Sequence, residues 1–435
     1  MNGVNVAGGA LRRDRTEAGS RMYERVILWA TPVFFVLIAL EALIAWRRQR
    51  AQYRLADAIS SIALGQLSTY LGIFARLISF GLYVEIYRHL RLATLDSDSV
   101  AVWVAALVIY DFLYYWNHRL GHEVNVLWAA HVVHHQSEEF NLSTALRQTS
   151  SGFLLSWLFY VPMAVAGFPP EMFLFVSLID LLYQFWIHTE QIGGLGVIDY
   201  LFASPSNHRV HHAVNDRYLD RNYGGILIIW DRLFGTFQPE LQSDPVVYGT
   251  RDPLRSWDPL WANLHSYVAM ARDSWHARSW VDALRVWIKH PGWRPADVAA
   301  RFPKPPFTIS AVQKFKRPLP ALLAGYCFVQ ALLVLGFGTH FLAVVPKWAL
   351  GATLGYLAWL VLSLWIVAGL TEGRRGFLWL EALRLALLAL VATTVAATLV
   401  PGSATLLVVI AAVSGLWLLL ASRSLLNFAA AAQPA

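Results

Sequence analysis

Long apolar runs separated by short polar joints set the frame of this chain. They cover Val26–Trp46, Ile59–Tyr87, Val100–Trp116, Gly152–Gly167 and Glu171–His188. After a long polar stretch come Leu319–Phe337, Trp348–Leu370, Phe377–Val400 and Ala404–Ala421. Runs of about 20 apolar residues read as membrane-spanning helices. Ile59–Tyr87 is longer, which predicts a helix that tilts or breaks near Gly72. Pro169-Pro170 reverses the chain between the fourth and fifth runs and predicts a hairpin. Each of its arms is short for a full span. The polar stretch runs from about Thr189 to Arg317. Its segments Trp257–Ala271 and Ser274–Lys289 mix tryptophans with charges and predict amphipathic helices at headgroup depth.

Composition agrees with the pattern. Of 435 residues, 57% are hydrophobic and 14% charged, against about 25% charged in a soluble domain; mean hydropathy is +0.45. The net charge of +7 fits loops facing anionic lipid better than nucleic-acid binding, for which no basic recognition element is visible. Sixteen Lys and Arg fall within 189–317, which places that stretch in the cytoplasm. Counting spans puts Arg47-Arg48-Gln49-Arg50 and Glu372-Gly373-Arg374-Arg375 on the same side. The N-terminus, with five arginines, breaks the rule unless one early segment is re-entrant. The first 25 residues carry no signal-peptide core, so the first run is expected to stay as an anchor. Cys327 is the only cysteine, which excludes an intramolecular disulfide and argues against thiolate ligation. The expected division is a polar segment 1–25, a main membrane domain 26–310 and a C-terminal transmembrane bundle 311–435.

Candidate chemistry lies in the histidines. Nine of the fourteen fall between His118 and His212. They form His118-Arg119-Leu120-Gly121-His122, His131-Val132-Val133-His134-His135 and His208-Arg209-Val210-His211-His212, with His188 alone. Helical positions i and i+4 share a face, so each cluster can aim several imidazoles at one point. All nine follow or end apolar runs on one side, which brings them to one membrane surface rather than the midplane. Imidazole suits zinc, copper, iron and nickel, and one tetrahedral zinc takes four ligands. Nine histidines therefore fit two metals, and an all-nitrogen pair with room for another ligand suits iron and dioxygen. A pH-sensitive or headgroup-binding surface is the alternative, and three repeated spacings argue against it. His89, His265, His276, His290 and His340 read as structural.

These boxes resemble the fatty acid hydroxylase/sterol desaturase superfamily of membrane di-iron oxygenases. The likeness narrows toward the alkylglycerol monooxygenase family through His118-Arg119-Leu120-Gly121-His122-Glu123-Val124-Asn125 and Asn141-Leu142-Ser143-Thr144-Ala145-Leu146-Arg147-Gln148. Trp186-Ile187-His188-Thr189-Glu190, Asn222-Tyr223-Gly224-Gly225 and Trp230-Asp231-Arg232-Leu233-Phe234-Gly235-Thr236-Phe237 continue it. It is dense over about 100–250, and the C-terminal runs match only in character. The resemblance implies an all-α integral membrane protein. A helical transmembrane stem would carry a cytosolic helical cap holding a histidine-rich di-metal site, with a C-terminal four-span bundle beyond. It implies that His118, His122, His131, His134, His135, His208, His211 and His212 ligate two irons, that His188 is the isolated further ligand, and that Glu123 takes part. Many superfamily members carry a histidine where this chain has Asn207, which leaves Asn207 as a water-mediated ligand or a helix cap. It also implies dioxygen as co-substrate, tetrahydrobiopterin as reductant, and oxidation of an ether lipid at the carbon beside the ether oxygen, yielding aldehyde and a glycerol derivative. An external electron donor is the other source of electrons.

Around the centre, Asp111 shares a helical stripe with His118 and is expected to orient a ligand ring. Asp180 lies in the hairpin on a stripe that misses His188. Arg147 and Arg209 are candidates for a lipid phosphate, and Asp231 reads as a turn or cap residue. Three competing functions remain open: a sterol or fatty-acyl hydroxylase or desaturase on the same scaffold, a metal transporter, and a metal-stabilised lipid-binding protein without turnover. Transporters place ionisable ligands near the midplane, unlike this pattern. The C-terminal runs hold few polar residues, which predicts a non-catalytic bundle.

Overall fold

The computed structural model describes residue 26, residues 29–393 and residues 403–431. The polar segment 1–25 and the end of the Phe377–Val400 run, with Pro401 and Gly402, lie outside the described residues. The described residues are helical. They contain no strand, only isolated bridges pairing Phe202 with Leu227 and Ala213 with Tyr248. Six helices are long and apolar enough to cross a membrane, and the protein is a multi-pass integral membrane protein.

The chain divides into two compact units. The first comprises residues up to Tyr53, Leu71–Pro253 and Asn263–Val312. It begins with α1 (Trp29–Arg47). Then comes α2 (Leu55–Leu90), of which the part from Leu71 belongs here. α2 runs unbroken through Gly72: a helical glycine costs only about 1 kcal/mol, and no proline interrupts the ladder. Next is α3 (Val100–Glu123), capped by an extended Val124. It outlasts the apolar run by two turns, because nothing after Trp116 breaks a helix, and so carries His118 and His122 beyond the apolar stretch. α4 (Asn125–His135) and the single turn α5 (Leu142–Ala145) follow.

The expected span at 152–167 is not one helix. It is two 3-10 stretches, Gly152–Leu154 and Ser156–Tyr160, then α6 (Val161–Ala166) with Pro162 in its first turn. Ser150, Ser151, Gly152 and Pro162 deny this segment a continuous hydrogen-bond ladder. It ends at Gly167 with φ 100°, where a Cβ would lie 2.1 Å from the Ala93 carbonyl oxygen. The returning arm is a regular helix, α7 (Pro170–Trp186). Tyr83, Ala106, Tyr110, Tyr160, Met163 and Met172 form the core between these elements. Beyond lie α8 (Pro205–His211), α9 (Ile229–Phe234), α10 (Pro259–His276), of which the part from Asn263 belongs here, and α11 (Trp280–Ile288). The last two occupy the segments read as amphipathic. Met270 and Val286 pack on Ala129 of α4, while Trp275, Trp280, Leu284 and Ile288 are exposed.

The second unit holds residues 54–70, 254–262 and 313–435. Its bundle is α12 (Ala321–Val344), α13 (Leu350–Thr371), α14 (Gly376–Val391) and α15 (Ser403–Ala431). Leu323, Tyr326, Ile366, Leu370, Leu385 and Leu418 fill its core. A buried Glu381–Arg384 pair sits inside, extended by Gln330 and Tyr326.

Candidate metal centre

Four pieces of the first unit supply the nine histidines. The last two turns of α3 present His118 and His122. α4 presents His131, His134 and His135. His188 stands just past α7, and α8 with its C-cap gives His208, His211 and His212. Ser204 caps α8 through its side chain and Pro205 opens it, so two histidines fit on a helix of seven residues and a third on its C-cap.

The rings form two groups. His118, His122, His131, His135 and His211 make one; His134, His188, His208 and His212 make the other. Within each group, one ligand atom per residue lies within 4.8 Å of all the rest. The sorting follows helix geometry. His131 and His135, four apart, share a face and one group, while His134 turns to the other. His208 and His212 pair in the same way, and His211 crosses over. Sequence clusters and metal groups are thus different sets.

The donor chemistry suits bound cations. His118 Nδ1 donates to the Tyr223 carbonyl at 2.8 Å, His134 Nδ1 to Arg147 at 2.8 Å, His188 Nδ1 to Gln184 at 2.7 Å and His211 Nδ1 to Arg221 at 3.0 Å. A carbonyl only accepts, so in each neutral ring Nε2 is left as a bare lone pair. His134 and His188 then face each other Nε2 to Nε2 at 3.1 Å, two lone pairs with no proton between them. Nε2 of His122 and of His211 is buried without a hydrogen-bond partner. A metal ion satisfies facing lone pairs of this kind, which a hydrogen bond between the two nitrogens does not. Burial holds His131, His135, His208, His211 and His212 well below the usual imidazole range, helped by neighbouring rings, and takes His134 down to about 4. These six rings are therefore in the neutral, ligating form at pH 7.

A second layer holds the rings, and it differs from the sequence expectation. Asp111 touches no histidine. It accepts from the Ile226 and Leu227 amides at 2.7 and 3.1 Å and from the Trp230 indole at 2.8 Å. Asp231 is more than a turn residue: fully buried, it accepts from the Tyr223 and Gly224 amides, both at 2.8 Å, and from Thr236. Together the two carboxylates clamp the loop whose Tyr223 carbonyl orients His118. Gly225 passes between them, where a Cβ would fall 2.5 Å from Asp180 Oδ1. Asp180 accepts from Gln184 at 2.6 Å, and Gln184 in turn accepts from Tyr114 at 2.8 Å.

Asn207 does not cap α8, whose N-cap is Ser204. Its amide donates to the Asp199 and Phe202 carbonyls. Glu123 pairs with Arg119 at 2.9 Å, at the rim. Arg147 and Arg209 face inward rather than toward a phosphate. Arg147 bonds the Val133 carbonyl, and Arg209 pairs with Glu240 and bonds the Thr189 and Ile192 carbonyls. His290, read as structural, meets Asp220 at 3.3 Å, and Asp220 meets His122 Nδ1 at 3.4 Å.

Sequence reasoning missed Asp220, Glu41 and the orienting carbonyls. Carbonyls carry no residue-type signal. Glu41 did: it is the one acid in the first apolar run. Buried, it accepts from Tyr53 at 2.5 Å, from the Leu142 amide at 2.7 Å and from the Thr189 hydroxyl. It thereby fastens α1 to the residue after His188 and to the start of α5.

The profile of the family described as Fatty acid hydroxylase matches residues 103–236, which span every histidine of both groups. Alkylglycerol monooxygenase from Homo sapiens is 37% identical over 82% of this chain and 80% of its own length. The Xenopus tropicalis protein of that name is 38% identical over 72% and 69%. Ornithine lipid hydroxylase OlsE from Rhizobium tropici is 32% identical over 31% of this chain and 41% of its own. No solved structure matches.

Proposed function

The chain belongs to the fatty acid hydroxylase family, alongside the alkylglycerol monooxygenases, and is a lipid monooxygenase; on that premise we propose that it oxidises alkylglycerol-type ether lipids with a di-iron centre. The supporting observation is that the likeness to alkylglycerol monooxygenases extends over 82% of the chain, whereas that to the ornithine lipid hydroxylase is confined to 31%.

Five histidines would hold one iron and four the other, and the irons would supply the electrons and Lewis acidity that activate dioxygen. The balance is simple. The CH2 beside the ether oxygen gains one oxygen atom from O2. The other oxygen atom leaves as water, with two protons and two electrons from a tetrahydrobiopterin-class donor. The hemiacetal so formed loses its C–O bond and gives an aldehyde and a glycerol hydroxyl. The chain's own residues do the positioning. Carbonyls of Tyr223, Arg147, Gln184 and Arg221 fix ring tautomers and directions. Trp128 packs on His122, and Phe140 on His188, which limits water at the rings. The basic 189–317 segment supports a cytoplasmic centre, with the oxygenase in 26–310 and a non-catalytic bundle in 311–435.

The test is metal analysis of the detergent-purified protein with an O2-dependent assay on a 1-O-alkylglycerol plus tetrahydrobiopterin. Two irons per chain with aldehyde release are expected. Iron without aldehyde would discard the ether-lipid reading in favour of sterol or acyl substrates. Protein from iron-replete cells that carries no metal would overturn the ligand assignment.

A further inference from the structure

A cavity of about 160 Å3 opens in the first unit between the second half of α2, the 3-10 stretch Ser156–Tyr160 and α7. Its walls are mainly apolar, with Tyr83, Tyr160, Phe173 and Leu174 contributing rings and an aliphatic branch, and Ser156 and Ser177 as small residues that keep it open. For scale, an apolar cavity of ~150 Å3 takes up benzene, so this one holds a stretch of roughly six carbons.

Its place relative to the metal centre gives it meaning. Tyr160 stacks on Tyr110 at 4.8 Å. Tyr110, Tyr114 and His118 follow one another along one stripe of α3, and the Tyr114 ring lies 5.3 Å from that of His118. On α7, Phe173, Ser177 and Gln184 lead along one stripe toward His188. At 1.5 Å per residue, Ser177 lies roughly 16 Å and Phe173 roughly 22 Å from His188 along α7, while Tyr110, which touches the cavity wall through Tyr160, lies roughly 12 Å from His118 along α3. Half of a hydrocarbon core of ~30 Å is about 15 Å. A lipid whose first chain carbons sit at the histidines therefore ends near the Ser177 edge of the cavity.

We propose that this cavity is the subsite for the far end of the substrate's alkyl chain, with the Tyr110–Tyr160 pair lying on the route from it to His118. The inference rests on the ether-lipid reading only for the headgroup; the tail chemistry is that of any long-chain lipid. Ser156 and Ser177 then set the chain length that fits, because a larger side chain at either position fills the space of several methylenes.

The test uses the full-length protein in lipid nanodiscs and a 1-O-hexadecylglycerol carrying a diazirine at the chain terminus. Irradiation should label residues within 79–86 and 156–177, and unlabelled hexadecylglycerol should compete the label away. Ser177→Phe should cut this labelling, and should lower kcat/KM for the sixteen-carbon substrate relative to a ten-carbon one, by about tenfold or more, the range that a few methylenes of pocket contact supply. Label placed elsewhere, label that no lipid competes, or an unchanged chain-length ratio in the variant would each overturn the proposal. Label in the cavity competed by a fatty acid or sterol but not by the alkylglycerol would uphold the tail subsite and discard the ether-lipid reading instead. The labelling pattern of the wild-type protein decides the matter even if the variant folds poorly.

Discussion

Two carboxylates, Glu41 and Asp220, touch no metal-group Nε2 and yet brace the segments that carry the rings. Glu41 ties α1 to the segments on either side of the four-histidine group. Outer partners of ligating histidines are commonly worth about tenfold to a hundredfold in metal affinity, so Glu41→Ala should weaken metal retention by that order. Metal content after dialysis against a chelator reads it, and wild-type retention would show that Glu41 only packs. Asp220→Asn removes the charge facing His122 and His290. It should loosen metal at the five-histidine group, seen as faster chelator-driven loss, while Lys289→Ala nearby should not. Acid acts through the same rings. In the metal-free protein, burial keeps His134 near pH 4, against about 6.5 in an unfolded chain. The unfolded state then binds more protons between those values, so stability falls as pH drops from about 6.5 toward 4. Thermal melting of the stripped protein at pH 7 and pH 5 should show the lower Tm at pH 5.

At the scale of elements, the two clamps on the Tyr223 loop are the most exposed to substitution. Gly225→Ala brings a methyl to 2.5 Å from Asp180 Oδ1 and 2.8 Å from Tyr114, an overpacking that costs about 1–3 kcal/mol. The variant should melt earlier and lose the metal held through His118. The helices were legible in the chain because hydrophobic runs report them directly, and the histidine boxes were legible because residue type and spacing are themselves the signal. Two things were not. The division of α4 between the groups needs the positions of α7 and α8, which no local pattern encodes. The failure of 152–167 as a helix was visible in Ser151, Gly152 and Pro162, but hydropathy outweighed them in the reading.

Across the whole molecule, the second unit carries a feature at odds with a simple anchor. Glu381 and Arg384 are buried in its bundle, with Gln330 and Tyr326 completing their hydrogen bonds. Removing one member of such a pair strands the other, at about 3–5 kcal/mol. Arg384→Met should therefore destabilise the protein in detergent, and Glu381→Gln with Arg384→Met should recover much of the loss; thermal melting of the single and double variants separates the two. His340, on the exposed side of α12 against Tyr356, lies outside both metal groups. His340→Ala should leave lipid turnover within about twofold, the scale of a neutral surface change, and a large loss would give the bundle a part in the chemistry.

The division of α4 has a consequence for how such a protein can diversify. With His131 and His135 on one side and His134 on the other, one rigid helix serves both histidine groups, so its pitch enters the spacing of any two ions held there, as a ruling enters the marks on a ruler. A change at the distant cavity leaves that shared helix as it is. Substrate preference is free to drift while the reacting unit keeps its gauge.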